Sequence, residues 1–183
     1  MLYVWMDASS MTLPARGAGR SAVLSPAFER LFRSEYARVV GIAHRVLADQ
    51  DGAEDVAQDV FLSFYRAHPG DAEYAAAWLH AAAAHSALNA LRARGRRGRR
   101  EAAQAISSDT PAGDDPAELV TVAETQDEVR AVLARLPERS AALLALRYAG
   151  LSYSEIAAAL DVRASSIGTL LRRAEESFRR EMR

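Results

Sequence analysis

The sequence contains neither cysteine nor lysine, and all 23 basic residues of the 183-residue chain are arginine. Without cysteine the chain has no disulfide, no thiolate metal site and no cysteine nucleophile. Without lysine it has no Schiff base and no phosphate-loop lysine. Glycine and proline are also scarce, at 10 and 6 residues. Because alanine, leucine, glutamate and arginine are used instead, the composition favours helices.

Long apolar runs are missing as well. The run Ala75–Ala84 falls short of the roughly 20 residues that a membrane span requires, and it contains His80. Residues 1–24 lack the order of a secretory signal, because Asp7 precedes the first arginine and no long apolar segment follows. We therefore expect no membrane insertion, a cytoplasmic location, and a disordered tail over residues 1–24.

The net charge of −1 conceals strong charge segregation. Arg92–Arg100 holds six arginines in nine positions, whereas Glu101–Val129 holds eight acidic residues and no basic one. From Arg130 onward there are ten arginines against six acidic residues. A solvated helix end also favours cations, but six arginines with interleaved glycines exceed what a helix end needs. This pattern favours a polyanionic partner such as nucleic acid.

Start and stop signals predict the first helices. Ser25 before Pro26 is typical of an N-cap followed by proline in the first turn. Asp51 and Glu54 have the spacing of a capping box for a second helix, which should end near Ala67. Apolar residues recur at helical spacing through both segments. The sequence therefore predicts two helices before residue 68.

A third helix should begin near Glu73 and enter the arginine cluster, fraying at Gly95 and Gly98. Residues 101–124 are predicted to be an acidic flexible linker, with helical periodicity resuming near Ala117. No segment alternates with a period of two, so no sheet is expected. The predicted fold is all-α, with two small helical domains over residues 25–100 and 125–183.

The C-terminal domain carries a helix-turn-helix pattern. Ser152 and Glu155 form a capping box, Asp161 stands where a turn needs a positive φ, and Ser165 or Ser166 should cap the next helix. A short helix, a tight turn and a second helix place that second helix in the DNA major groove. An ordinary antiparallel helix pair is the alternative. The predicted DNA contacts are Arg163, Ser165, Ser166, Thr169, Arg172 and Arg173.

Two further clusters lie in the N-terminal domain. Five acidic residues fall between Asp49 and Asp59, which could indicate a metal site for hydrolysis, but no histidine joins them at ligand spacing. An exposed protein-binding face is the better interpretation. Aromatic, imidazole, amide and guanidinium groups after Ala77 suit single-stranded nucleic acid, although for Trp78 alone a core position is the better interpretation. The two predicted sets are Asp55, Gln58, Asp59 and Leu62 for protein, and Trp78, His80, His85, Asn89, Arg92, Arg94 and Arg96 for nucleic acid.

Three segments together resemble a known family. DGAEDVAQDVFLSFYRA (Asp51–Ala67) is similar to the second conserved region of bacterial sigma factors, and AAWLHAAAAHSALNALRAR (Ala76–Arg94) to the adjoining promoter-melting segment. LPERSAALLALRYAGLSYSEIAAALDVRASSIGTLLRRA (Leu136–Ala174) is similar to the fourth region. Two motif blocks in this order, joined by a short linker, resemble the extracytoplasmic-function group.

The resemblance implies a sigma factor that binds core RNA polymerase and directs promoter-specific transcription initiation. Asp55, Gln58, Asp59 and Leu62 would face polymerase, Trp78–Arg96 would capture and melt the −10 element, and the helix from Ser165 would read the −35 element. The acidic linker would thread toward the polymerase cleft. An anti-sigma factor is a usual partner in the group. No catalytic residue, cofactor or metal is implied.

The sequence departs from the family pattern at several positions. Gly168 and Leu170 stand where a basic pair is usual in the recognition helix, and His85 and Asn89 stand where the melting segment often has Asn and Asp. Two alternatives stay open. One is a stand-alone helix-turn-helix regulator that is not a polymerase subunit, and the other is a nuclease that uses the acidic residues near Asp55.

Overall fold

A computed structural model of the chain describes residues 24–105 and 117–183. The described residues contain no strand, so the all-α prediction is confirmed. The tail before residue 24 and the central part of the predicted linker lie outside the described residues. The helices are α1 (Pro26–Leu47), α2 (Gln50–Ala67), α3 (Ala75–Ala105), α4 (Ala117–Arg135), α5 (Glu138–Tyr148), α6 (Tyr153–Ala159) and α7 (Ile167–Glu181), with a short 3₁₀ turn at Ala164–Ser166.

The start of α1 follows the predicted signal. Ser25 is the N-cap, and its hydroxyl oxygen accepts a hydrogen bond from the Phe28 backbone N–H at 3.2 Å. This bond satisfies one of the N–H groups that the first turn leaves without a helical partner. The helix ends at Leu47, and the C-cap residue Ala48 has a φ of 50°, in the left-handed region. The predicted N-cap is confirmed.

The start of α2 differs from the prediction. Its N-cap is Asp49, and Asp51 lies inside the first turn, so the capping box from Asp51 to Glu54 does not form. Glu54 instead accepts a hydrogen bond from the Gln50 side chain at 2.6 Å. The Asp49 carboxylate accepts from Arg94 at 2.6 Å. The N-cap residue is therefore hydrogen-bonded to Arg94, which lies 45 positions away in the sequence. The local spacing cannot reveal such a partner.

Helix α3 continues through both glycines to Ala105, so the predicted fraying at Gly95 and Gly98 is wrong. Glycine costs about 1 kcal/mol relative to alanine within a helix. The surrounding arginines and alanines are good helix formers and offset that cost over such a length. Neither glycine has a positive φ. Among the described glycines only Gly150 has one, with a φ of 90°.

The core runs without a break through both predicted domains. Helices α1, α2 and α3 pack against one another around Ile42, Phe64 and Leu79, which are fully buried. Helices α5, α6 and α7 pack around Leu146 and Ile156. Helix α3 also contacts α4, α5 and α6, so its buried side chains belong to the same apolar cluster as those of the C-terminal helices.

The helix-turn-helix forms largely as predicted. Both hydrogen bonds of the Ser152–Glu155 capping box are present, and Asp161 has a φ of 50°. The prediction that a serine side chain caps α7 is wrong. Ser166 precedes the helix in a helical conformation and makes no side-chain cap bond, because the turn at Ala164–Ser166 leads directly into α7.

Candidate nucleic-acid and polymerase interface

The outer face of α2 is exposed. Asp55, Gln58, Asp59 and Leu62 all lie on it, and Leu62 is 45% exposed. The opposite side of α2 is buried against α1 and α3. The structure therefore brings the four predicted polymerase contacts together on one accessible surface. Across the described residues no three His, Asp or Glu side chains are placed to share a metal ion.

An aromatic extension of this face was missed by the sequence reasoning. Tyr65 and Phe32 are each 37% exposed. The Tyr65 ring lies 4.8 Å from that of Phe28, and the Phe32 ring lies 4.8 Å from that of Phe61. Tyr65 follows Leu62 by three positions, which places both on the same side of the helix. That spacing is the signal that could have identified the extension.

His80 is not on the candidate nucleic-acid surface. It is 2% exposed, and its Nε2 lies 2.9 Å from the Glu35 carboxylate of α1. Of the polar and charged residues that the structure describes, His80 is the one that is buried. Its hydrogen bond to Glu35 offsets the cost of burying the ring. The prediction that His80 contacts DNA is therefore wrong for this conformation. The spacing could have indicated this burial, because Ala84 and Ala87, which are also buried, follow His80 by four and seven positions on the same face of α3.

Trp78 belongs to a partly exposed aromatic cluster at the end of α2 and the start of α3. Its ring lies 5.0 Å from His68 and 5.4 Å from Phe64, and it is half-buried. His68 Nδ1 lies 3.2 Å from the Tyr74 hydroxyl, and Tyr74 is 47% exposed. Burial lowers the pKa of His68 below its ordinary 6.5, so the ring is neutral near pH 7. The sequence reasoning missed His68 and Tyr74.

The remaining predicted contacts on α3 divide into two groups. Asn89, Arg94 and Arg96 are exposed, although Arg94 pairs with Asp49. His85 and Arg92 face the C-terminal helices instead. His85 Nδ1 lies 2.8 Å from the Glu138 carboxylate, and Arg92 donates to the backbone carbonyls of Ala134 and Leu136, both at 3.2 Å.

Helix α7 is sharply amphipathic. Its inner side buries Ile167, Leu171 and Ala174. An ion pair from Arg172 to Glu176 spans 4.0 Å between exposed side chains, so it competes weakly with a phosphate. The outer side carries the predicted DNA contacts. Arg163, Ser165, Thr169, Arg172 and Arg173 are exposed, and Ser166 is half-buried.

A neighbouring pair extends the α7 surface. Gly168 is exposed, and a Cβ at this position would lie 3.7 Å from Cε2 of the Tyr153 ring. Tyr153 is 46% exposed, and the Arg147 guanidinium lies 5.6 Å from the centre of its ring, within cation–π range. A tyrosine and an arginine from α6 and α5 thus lie beside the recognition-helix position that lacks a side chain.

Glu155 is the most strongly perturbed acid of the described C-terminal helices. It accepts hydrogen bonds from the Ser152 hydroxyl at 2.7 Å, the Ser152 backbone N–H at 2.8 Å and Arg38 at 2.5 Å. These donors, led by the Ser152 hydroxyl, lower the pKa of Glu155 from 4.5 to about 2. Its carboxylate therefore stays ionised well below pH 4.5, where an ordinary glutamate becomes protonated.

Two family matches cover the two halves of this surface. The Sigma-70 region 2 family matches residues 31–97, and the Sigma-70 region 4 family matches residues 126–177. The chain belongs to the sigma-70 family. The two matches appear in the order that the sequence predicted, and the expectation of an extracytoplasmic-function sigma factor is confirmed at the level of the family.

Individual sigma factors are also similar to this chain. The extracytoplasmic-function RNA polymerase sigma factor SigE of Mycolicibacterium smegmatis is 31% identical over 160 residues, which cover 84% of this chain. The chain spans 61% of the length of that relative. A solved structure of the sigma factor RpoE with the anti-sigma factor NepR from Bartonella quintana has a TM-score of 0.45 and 18% identity, covering 85% of this chain and 96% of that one.

Within residues 24–105 and 117–183, no helix of this sigma-70 family member is both long and apolar enough to cross a bilayer.

Proposed function

We propose that this protein is a sigma factor that binds core RNA polymerase and directs it to promoters. The observation that carries the proposal is the exposed α2 face, which a chain that only bound DNA would not need. Its acids, amide and leucine are exposed on one face of α2, in a chain that also contains two regions rich in arginine. The role is one of binding, since polymerase makes the bonds, and it belongs in the cytoplasm, where the chromosome is.

The −10 surface in this proposal lies around the start of α3. Opening a duplex costs a few kcal/mol per unstacked base, and stacking on an aromatic ring returns about 1–3 kcal/mol per base. Trp78 with His68 and Tyr74 supplies rings at the partly exposed cluster, and Arg94 and Arg96 supply charge further along the helix. A neutral His68 suits stacking and hydrogen bonding to a base more than pairing with a phosphate.

The −35 surface in this proposal lies at the N-terminal end of α7. Arg163, Arg172 and Arg173 are exposed there and suit phosphate or guanine contacts. The absence of a side chain at Gly168 lets a DNA strand approach closely, and Arg147 over Tyr153 supplies a cation on its flank. This pair offers a physical replacement for the basic residue that the recognition helix lacks.

The test is reconstituted transcription from a library of genomic fragments with purified core polymerase and this protein. We expect RNA chains that begin at a defined set of sites only when both are present. Failure to associate with core polymerase, or association that leaves the start sites unchanged, would contradict the proposal. Co-purification also separates it from the stand-alone regulator, which would bind duplex DNA without polymerase.

An anti-sigma factor is the proposed inhibitory partner. The support is the resemblance to the extracytoplasmic-function group, in which an anti-sigma factor is a usual partner. Its existence is testable by coexpressing the chain with each adjacent gene product of its genome and measuring loss of polymerase association. We expect that coexpression with the inhibitor abolishes the association of this chain with polymerase.

A further inference from the structure

The loop between α2 and α3, residues 68–74, lies directly on the first turn of α1. Gly70 stands near the middle of this loop and is half-buried. A Cβ built on Gly70 would lie 2.6 Å from the backbone nitrogen of Phe28, 2.8 Å from its Cα and 3.0 Å from its Cβ. Side-chain carbons in proteins essentially never come that close to a backbone. The loop and the helix therefore meet at a distance that only glycine permits.

The α1 side of this contact is held firmly in place. The Phe28 backbone N–H donates to the Ser25 hydroxyl oxygen at 3.2 Å, which is the N-cap bond of α1. The Phe28 side chain is 5% exposed, and its ring packs against those of Phe61 and Tyr65 of α2 at 6.3 Å and 4.8 Å. Moving the Phe28 backbone would disturb the cap and both ring contacts. A side chain at position 70 would therefore displace the loop and not the helix.

The same loop carries two rings of the aromatic cluster at the start of α3. His68 precedes Gly70 by two positions, and Tyr74 follows it by four. His68 Nδ1 lies 3.2 Å from the Tyr74 hydroxyl, and the two rings are 5.7 Å apart. Trp78 belongs to α3, and its ring lies 5.0 Å from that of His68. Because the loop is short, a displacement at its middle moves His68 and Tyr74 relative to Trp78.

We propose that Gly70 is a positioning residue for the opened −10 strand, because it lets the loop rest on α1 and so fixes His68 and Tyr74 beside Trp78 as a preformed stacking surface. The inference rests on the proposed function, which assigns this cluster to the strand. Rings that are ordered before a base arrives lose less conformational entropy when it stacks on them. Gly70 has no positive φ, so the close approach and not the backbone conformation requires glycine here.

The test compares two glycine-to-alanine changes in the full-length chain. Gly70→Ala adds the Cβ for which the structure has no room. Gly41→Ala is the matched control, because Gly41 is exposed on α1 and a Cβ there would meet nothing within 4 Å. Both changes are made in a Trp5→Phe background, so that Trp78 is the remaining tryptophan of the chain. Circular dichroism verifies that each variant retains its helices.

The first measurement is the fluorescence of Trp78 as a function of pH. A protonated imidazole in contact with an indole quenches its emission. Because burial lowers the pKa of His68 below 6.5, emission should fall with a midpoint below pH 6.5 in the background protein, and His68→Gln should abolish this step. Gly70→Ala should raise the midpoint toward 6.5 and reduce the amplitude, because the His68 ring leaves Trp78 for solvent. Identical titrations in Gly70→Ala and Gly41→Ala would overturn the proposal.

The second measurement is fluorescence anisotropy with a labelled single-stranded oligonucleotide of mixed sequence and with its duplex. Gly70→Ala should weaken single-strand binding by about tenfold, which is the loss expected when one base no longer stacks. Duplex binding, which the proposed function assigns to α7, should stay the same. Gly41→Ala should match the background protein with both probes. Equal single-strand affinity in the two variants would contradict a positioning role.

The two readouts separate this inference from the proposed function. If the background protein binds no single strand, the assignment of the cluster to the −10 strand fails, and the fluorescence titration still decides whether Gly70 fixes the cluster. If Gly70→Ala does not fold, Ser25→Ala reaches the same contact from α1, because it removes the acceptor of the Phe28 N–H. The His68 midpoint should then also rise, and an unchanged midpoint would overturn the proposal. Loss of polymerase association belongs to the proposed function and affects neither readout.

Discussion

At the scale of single residues, Glu155 connects the local and the distant parts of the molecule. It completes the capping box of α6 with Ser152 and also pairs with Arg38 of α1. The first role follows from a four-residue spacing and is readable from the sequence. The second joins residues 117 positions apart and is not, because nothing in the local pattern of either helix specifies the other as its partner.

The lowered pKa of Glu155 predicts a specific acid sensitivity. Since the folded pKa is about 2 and the ordinary value is 4.5, ionised Glu155 stabilises the fold above about pH 4.5. That contribution is lost as the pH falls from 4.5 toward 2. We expect the free energy of urea unfolding to fall more steeply with acidification in the unmodified protein than in Glu155→Gln. Parallel pH profiles would contradict this assignment.

Ser152 carries the cap itself. Replacing Ser152 by alanine removes the hydroxyl that accepts from the Glu155 backbone N–H and donates to its carboxylate. We expect Ser152→Ala to lower the free energy of unfolding by about 1 kcal/mol. Ser63→Ala, at an exposed position within α2, is the control and should change it by less than about 0.5 kcal/mol. Urea denaturation measures both.

At the scale of helices, periodicity and caps placed most elements because those signals are local. The end of α2 at Ala67 and the capping box of α6 match the prediction. The start of α2 and the continuity of α3 did not follow the local signal. Asp49 is engaged by an arginine from another helix, and the glycines of α3 lie in a sequence that otherwise strongly favours helix.

Gly98 tests the interpretation of α3 as one helix. A Cβ at this position would meet nothing within 4 Å. Gly98→Ala should therefore stabilise the end of α3 by up to about 1 kcal/mol. Because helix ends open locally, the effect should appear as slower amide hydrogen exchange over residues 94–105 more than as a higher melting temperature. Faster exchange there would show that the glycine is needed.

The outer arginines of α7 predict the salt dependence of duplex binding. Arg172→Ala and Arg173→Ala should each weaken binding across sequences and reduce the slope of log affinity against log salt by about 1. Arg180→Ala is the control, because Arg180 is exposed near the other end of the same helix and donates to Ser177. Titrations at several salt concentrations measure the slopes. Equal slopes in all three variants would contradict a phosphate role at the start of α7.

At the scale of the whole molecule, the sequence predicted two domains but not how they pack. His80 illustrates the cause. Its place on α3 followed from spacing, whereas its burial against Glu35 depends on how α1 lies across that helix. The same holds for His85 and Arg92, whose partners come from α5 and the end of α4. Contacts between distant segments decide which members of a predicted surface are accessible.

The exposed α2 face predicts a loss of assembly without a loss of folding. Leu62→Arg should abolish co-purification with core polymerase, because it places a large charged side chain at the apolar point of that face. Its thermal unfolding should match that of the unmodified protein, since Leu62 is 45% exposed. Glu73→Arg, an exposed change outside the face, should leave co-purification intact. Retained assembly in Leu62→Arg would remove the face from the polymerase contact.

The acceptors used by Arg92 are main-chain oxygens of Ala134 and Leu136. Every amino acid carries the same carbonyl, so replacing either side chain leaves the acceptor in place as long as the backbone keeps its course. Mutation around the end of α4 can therefore change the composition of this stretch without releasing the arginine. A substitution that breaks these two hydrogen bonds while the backbone keeps its course must replace Arg92 itself. Such a substitution would also remove a side chain that the sequence predicts to contact the −10 strand.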